Sequence, residues 1–156
     1  MNIRLATSDE ADAIARLVNR AYEVEAFFVA GDRTNADDVR GLMRTGAFLV
    51  VDGDATGEID ACIYTSLSGR RAYFGMLAVD PSKQRRGLGR ALIDACERRA
   101  QTAGAHAMDI KVVNLRTDLL RRYERLGYLV AGTERYEHRP VLQPCHFVVM
   151  TKALAG

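Results

Sequence analysis

Between Met76 and Leu92 the chain orders its residues as a phosphate site requires. Asp80-Pro81 leads out of an apolar stretch, and Lys83, Arg85, Arg86 and Arg90 bring positive charge. Gly87 and Gly89 stand one residue apart, just before a helical pattern. Glycine permits backbone conformations that a Cβ blocks, so successive amides can point into one concavity. The helix that follows adds amides without an intrahelical partner and a partial positive charge. An anion at that point is held first by main chain and second by arginine. Two other phosphate motifs do not fit. The dinucleotide fingerprint needs a third glycine where Leu92 stands, and the P-loop ending in Gly-Lys-Ser/Thr is absent.

The elements that must carry this cup can be read from periodicity and turn chemistry. Residues 2–6 read as a short strand. Thr7 with Glu10 forms a capping box, and Ala11, Ile14, Ala15, Leu17, Val18 and Ala21 share one helical face. The pattern weakens after Tyr22 and breaks at Gly31-Asp32-Arg33, and residues 35–44 read as a second helix. Strands follow at 47–51, 58–67 and 72–79, joined by Asp52-Gly53-Asp54 and Ser68-Gly69-Arg70. Connections this short make an antiparallel meander. A helix on Leu88, Leu92, Cys96, Ala100 and Ala103 stops at Gly104, and Met108–Val113 is a strand. The strand–helix–strand unit over 72–113 implies a right-handed parallel crossover. A helix over 116–126 and strands at 128–136 and 147–151 complete one α+β domain over residues 1–156.

Bulk properties narrow the class. The chain has 156 residues, 48% of them apolar and 27% charged, which suits one soluble globular domain. A net charge of +2 does not argue for a nucleic-acid partner, and no aromatic stacking platform accompanies the basic patch. Cys62, Cys96 and Cys145 are widely spaced, with no Cys-x-x-Cys and no histidine at metal-ligand spacing. They read as reduced thiols, so no metal is expected and a cytoplasmic location is. No apolar run approaches bilayer length, and no membrane association is expected. The apolar strands at the end of the chain are candidates for pairing across a homodimer.

Gln84-Arg85-Arg86-Gly87-Leu88-Gly89 resembles the Q/R-x-x-G-x-G/A signature of the GCN5-related N-acetyltransferase (GNAT) family, and Leu77-Ala78-Val79-Asp80-Pro81 matches its lead-in. Asn114 followed by Arg122-Tyr123-Glu124-Arg125-Leu126-Gly127-Tyr128 resembles a second family pattern. The resemblance implies a mixed, mostly antiparallel sheet of six to seven strands with a splayed parallel pair and about four flanking helices. It implies acetyl-coenzyme A as cosubstrate. Its pyrophosphate would sit on Gln84, Arg85, Arg86, Gly87, Leu88, Gly89 and Arg90. Its pantetheine arm would lie along Leu77, Ala78 and Val79, with Asn114 bonding the arm. It also implies transfer of the acetyl group to a primary amine, with Tyr123 as general acid. Spacing alone reads Tyr123 as packed beside Leu119, Leu120 and Leu126.

The chain departs from the family on the strand before the cup. Many relatives carry a glutamate there that works as a base through water. This chain has Tyr73-Phe74-Gly75-Met76 instead. Glu25, Asp109, His106 and His146 are the candidate bases. Without one, a non-catalytic acyl-coenzyme A sensor or interaction module is the alternative function. The acceptor site, for a small-molecule or protein amine, is expected from the segments 22–33 and 134–146. In these, Glu23, Glu25, Asp32 and Glu137 would attract a cationic amine, or form a solvated face. Tyr22, Phe27, Phe28 and Tyr136 would line an apolar pocket, or pack in the core.

Overall fold

The structure is a computed structural model that describes residues 1–137 and 139–155. The short strand β1 (Ile3–Leu5) leads into a single 3-10 turn at Ser8–Glu10 and then helix α1 (Ala11–Ala21). The capping box forms as read: the Thr7 amide donates to Glu10 Oε1 at 2.9 Å. Ala11, Ile14, Ala15, Leu17 and Val18 face the sheet and are buried. A second 3-10 turn at Tyr22–Glu25 replaces the fading helical pattern. Helix α2 (Ala36–Thr45) is capped by the Asn35 side chain, whose oxygen accepts from the Asp38 amide at 2.8 Å.

Strands β2 (Gly46–Asp52), β3 (Ile59–Ser68) and β4 (Arg71–Val79) form the expected antiparallel meander. Helix α3 (Leu88–Thr102) crosses to strand β5 (Ala107–Val113), which lies parallel to β4. Helix α4 (Thr117–Arg125) and strands β6 (Leu129–Arg135) and β7 (His146–Ala153) follow. One seven-stranded sheet results, in the order β1-β2-β3-β4-β5-β7-β6. The fold is therefore the mixed sheet with one parallel pair that the sequence implied.

The hydrophobic layers are split by the sheet. On one side α3 and α4 bury Leu92, Ile93, Cys96, Tyr123 and Tyr128 against Ile63, Phe74, Met108 and Ile110. On the other, α1 and α2 bury Ile14, Val18 and Val39 against Phe48, Val50 and Tyr64. Strand β6 has no layer over it and is exposed along its whole length.

Two irregularities in β4 position the site. It pairs with β5 only over Arg71↔Ala107, Ala72↔Met108 and Tyr73↔Asp109. Beyond Tyr73 the two strands part, although β4 stays bonded to β3 and β5 to β7. A β-bulge then sets Met76 and Leu77 of β4 opposite Ile63 alone, because Cys62 pairs with Ala78 and Tyr64 with Gly75. Met76 takes a left-handed φ of 48° there, and its carbonyl accepts from the Cys62 thiol at 3.7 Å. The backbone of β4 that faces the parted strands has lost its partner strand, and its polar groups need another.

Candidate active site

The opened seam between β4 and β5 has a mouth on each side. The wider is a cleft of about 700 Å³ lined by Leu77, Ala78, Val79, Gln84, Arg85, Gly87, Leu88 and Gly89, with Leu115, Arg116, Leu119, Arg122 and Tyr123 opposite. The narrower is a cavity of about 290 Å³ lined by Tyr73, Gly75, Met76, Ile110, Val112, Tyr136, Phe147, Glu25 and Arg33, among others. Tyr22, Leu77, Leu119 and Tyr123 line both, so they mark the junction.

The cup at the wide end is built from backbone. Asp80 caps the short turn Pro81–Lys83 by accepting from the Ser82 amide. Arg85 and Gly87 then take left-handed φ values of 70° and 76°, which turn the chain sharply into α3. The amides of Leu88, Gly89 and Arg90 open that helix and have no intrahelical carbonyl to bind. A Cβ on Gly89 would stand 3.0 Å from Arg122 Nη2, so the glycine lets the guanidinium of α4 reach the mouth of the cup. Two expected contributors stand apart. Arg86 is exposed outside the cleft lining, and Arg90 pairs with Asp94 at 3.3 Å. Asn114 also lies outside the lining; its Oδ1 accepts from the His146 amide at 2.9 Å and ties β5 to β7.

Tyr123 is buried at the junction between the rings of Phe74 and Tyr128. Burial pushes its phenol up to about 12, although Arg122 and Arg116 pull the other way. Tyr22 is likewise raised by burial.

Of the four candidate bases, only Glu25 lines the seam. Asp109 is corrected to a clamp. It receives two hydrogen bonds from Arg71, at 2.8 and 2.6 Å, across the closed end of β4 and β5. That pairing holds its carboxyl below the ordinary range. His106 sits at the start of β5, its amide donating to the Arg70 carbonyl, and His146 opens β7 on the surface; neither lines a cavity. Glu25 is 4% exposed, with Arg116 Nη1 at 3.0 Å and Arg139 Nη2 at 3.4 Å. Burial raises its carboxyl, while Arg116, Arg33 and Arg139 oppose the shift.

The remaining acceptor-side expectations divide. Tyr22 and Tyr136 line the small cavity. Phe28 is core, and Phe27 is 52% exposed at the rim of the wide cleft. Glu23 and Asp32 face a separate groove, and Glu137 is exposed. His138, in the loop expected to help shape this site, lies outside the described residues. Sequence reading singled out neither Arg116, Arg122 nor Arg33. Arg122 was visible as the residue before Tyr123 on the same helix.

Residues 18–153 match the family model described as the acetyltransferase (GNAT) domain. The chain belongs to this family of acetyltransferases, which draw the acetyl group from acetyl-coenzyme A. It is 32% identical over 107 residues to a mycothiol acetyltransferase of Propionibacterium freudenreichii subsp. shermanii, a match covering 64% of this chain and 34% of that protein. The matched chain thus spans about a third of that relative's length. The fold is similar to the ribosomal-protein-S18-alanine N-acetyltransferase of Escherichia coli, with a TM-score of 0.81 at 18% identity over 99% of this chain and 94% of that one. It is also similar to yncA of Salmonella typhimurium, solved with its cofactor acetyl-CoA. There the TM-score is 0.75 at 19% identity, over 100% and 95% of the two chains. Among the described residues no helix is long and apolar enough to cross a membrane, and no His/Cys/Asp/Glu group could hold a metal ion.

Proposed function

We propose that the chain, as a single domain over residues 1–156, transfers the acetyl group of acetyl-coenzyme A to a primary amine by direct attack within a ternary complex. The observation that carries this reading is the position of Tyr123, beside Leu77, where the wide cleft meets the small cavity. A thioester in the cleft and an amine in the cavity would meet beside that hydroxyl.

The residues of the wide cleft fit the cosubstrate. Left-handed Arg85 and Gly87, the first amides of α3 and the Arg122 guanidinium suit a diphosphate. The backbone of Leu77–Val79, paired to β3 but without a partner strand on the β5 side, suits the amides of a pantetheine arm. What the bound cosubstrate supplies is an acyl carbon already activated by sulfur. As the amine nitrogen bonds to that carbon, the carbon–sulfur bond breaks. The surplus nitrogen proton passes to solvent, and the sulfur leaves as thiolate.

The Tyr123 hydroxyl then acts on the leaving sulfur. Burial keeps the phenol protonated, so Tyr123 donates a hydrogen bond, and at the limit its proton, to the sulfur as the thiolate forms. Glu25 holds the acceptor wall and shapes its charge, since both its oxygens already face arginine.

The acceptor is a small-molecule or protein amine. Reduced Cys62, Cys96 and Cys145 support a cytoplasmic setting, and the fully exposed strand β6 is the edge at which a homodimer would pair. Free-thiol release from acetyl-coenzyme A with a panel of amines tests the reading. Tyr123→Phe should lower kcat about tenfold or more while leaving acetyl-coenzyme A affinity within about twofold. A protein that binds acetyl-coenzyme A yet turns over no amine would instead be the sensor.

A further inference from the structure

We infer that the small cavity accepts a small molecule that carries an acid group besides its amine, a carboxylate or phosphonate, and that Arg33 grips that acid. The inference deepens the proposed amine acetylation and rests on it. It starts from the charges around the cavity. Glu25, the acid expected to draw a cationic amine, is already neutralised by Arg116 and Arg139. Arg116 also holds Asp118 at 3.1 Å, and Lys111 is taken by Glu134 at 2.8 Å. Arg33 is different. It lines the small cavity, is half-buried, and among the described residues forms no ion pair or hydrogen bond. Its guanidinium lies over the Tyr22 ring, 5.5 Å from the centroid, which fixes it beside the junction.

Arg33 also borders a groove of about 350 Å³ lined by Arg16, Arg20 and Arg139 with Glu23 and Asp32. Arg20 and Arg139 are engaged by Asp80 and Glu25, so the groove adds no surplus of cations and the charge offered to a ligand is that of Arg33. Arg33 acts on Glu25 through space without touching it, so its fork of donors stays open to carboxylate or phosphonate oxygens in pairs.

Size favours a small molecule over a protein terminus. At about 290 Å³ the cavity sits near the lower limit of small-molecule sites, about 300 Å³. It ends against Tyr136 and Phe147, at the two ends of a loop stitched to the segment after α1. Val29 bridges Val141, and the Leu142 amide donates to the Phe28 carbonyl at 2.7 Å. Ala30 N–H donates to the Pro140 carbonyl at 3.1 Å, and the Arg139 side chain to the Gly31 carbonyl at 3.0 Å.

The test compares amino acids with their methyl esters, a diamine and a short peptide by thiol release, with acetyl-coenzyme A binding followed separately by calorimetry. The free acid should exceed its ester in kcat/KM by about tenfold or more, through KM, as expected for a hydrogen bond to a charged group. Arg33→Gln should erase that ratio, Arg33→Lys should keep part of it, and Arg33→Glu should reverse it in favour of the ester and diamine. Thermal melts of Arg33→Gln and Arg33→Lys should stay within a few degrees of the parent, because among the described residues the Arg33 side chain forms no hydrogen bond or ion pair and its stacking on Tyr22 is partly exposed. Equal use of acid and ester, a ratio that survives Arg33→Gln, or preference for the peptide overturns the inference and leaves amine acetylation standing. Absence of acetyl-coenzyme A binding overturns both.

Discussion

The two mouths of the seam are made in different ways. The wide cleft draws its cup from one run of chain, Leu77 to Gly89, and works through main-chain amides, left-handed φ values and the lack of a Cβ. The small cavity draws side chains from six separate places, Tyr22–Glu25, Arg33, Tyr73–Leu77, Ile110–Val113, α4 through Leu119 and Tyr123, and the ends of the loop after β6. A ligand common to a whole family is suited to recognition by backbone, which constrains residue types at fixed spacing. An acceptor that differs between members is suited to side chains that can change one at a time. The contrast predicts that the narrow end depends on its ion-pair network for stability, and that the wide end can lose its ligand without losing its fold.

The largest effect should come from Glu25. Its removal leaves Arg116 and Arg139 half-satisfied at a site where all three side chains are largely buried. Glu25→Ala should cost about 3 kcal/mol, a melting-point drop of roughly 6–12 °C in a chain of this size. Acetyl-coenzyme A affinity should stay within about twofold. A drop below about 2 °C would break the contrast, because the small cavity would then stand without its network. Next is Gly89→Glu. The nearest atom to the added Cβ is the far end of a flexible arginine, and an acid in the first turn of α3 suits the helix dipole. The fold should hold. The new carboxylate would engage Arg122 and face the anion, so affinity for acetyl-coenzyme A should fall by about a hundredfold, roughly 2.7 kcal/mol. Unchanged calorimetry would remove the cup from the cosubstrate site.

The same contrast governs what could be read in the sequence. The capping box of Thr7 and Glu10, the meander and the cup are local, set by residues within a few positions of each other. They were legible. The Met76 bulge was not, although Gly75 stands beside it: a single glycine in an apolar run also fits an unbroken strand, and it is the register of β4 against β3 that imposes the bulge. Glu25 read as one of several loop acids because its partners Arg116 and Arg139 lie 91 and 114 residues away. Arg33 read as part of a helix break, since a guanidinium stacked on Tyr22 and left unpaired leaves no trace in spacing. Asp109 read as a candidate base because nothing near it in the sequence shows its partner. The partner, Arg71, is on the parallel strand.

That pair marks the point from which the seam opens, and it gives the smallest and most local test. Arg71 joins Asp109 and Thr151, so one side chain crosses from β4 through β5 to β7 where the strands are still paired. Asp109 is held below the ordinary carboxylate range by Arg71. A group depressed in the folded state adds stability that is present above its unfolded value and is lost as pH falls through the folded one. Arg71→Ala should therefore lower the urea midpoint slightly at pH 7, and the difference from the parent should shrink as pH falls below the ordinary carboxylate range and through the depressed folded value of Asp109. The effect should be much smaller than that of Glu25→Ala, because Arg71 is exposed and screened by solvent and salt. Acetyl-coenzyme A affinity should not move, since the wide cleft begins beyond the last paired residues. A loss of affinity would mean that the closed end sets the opening of the seam, and that its two ends are not independent.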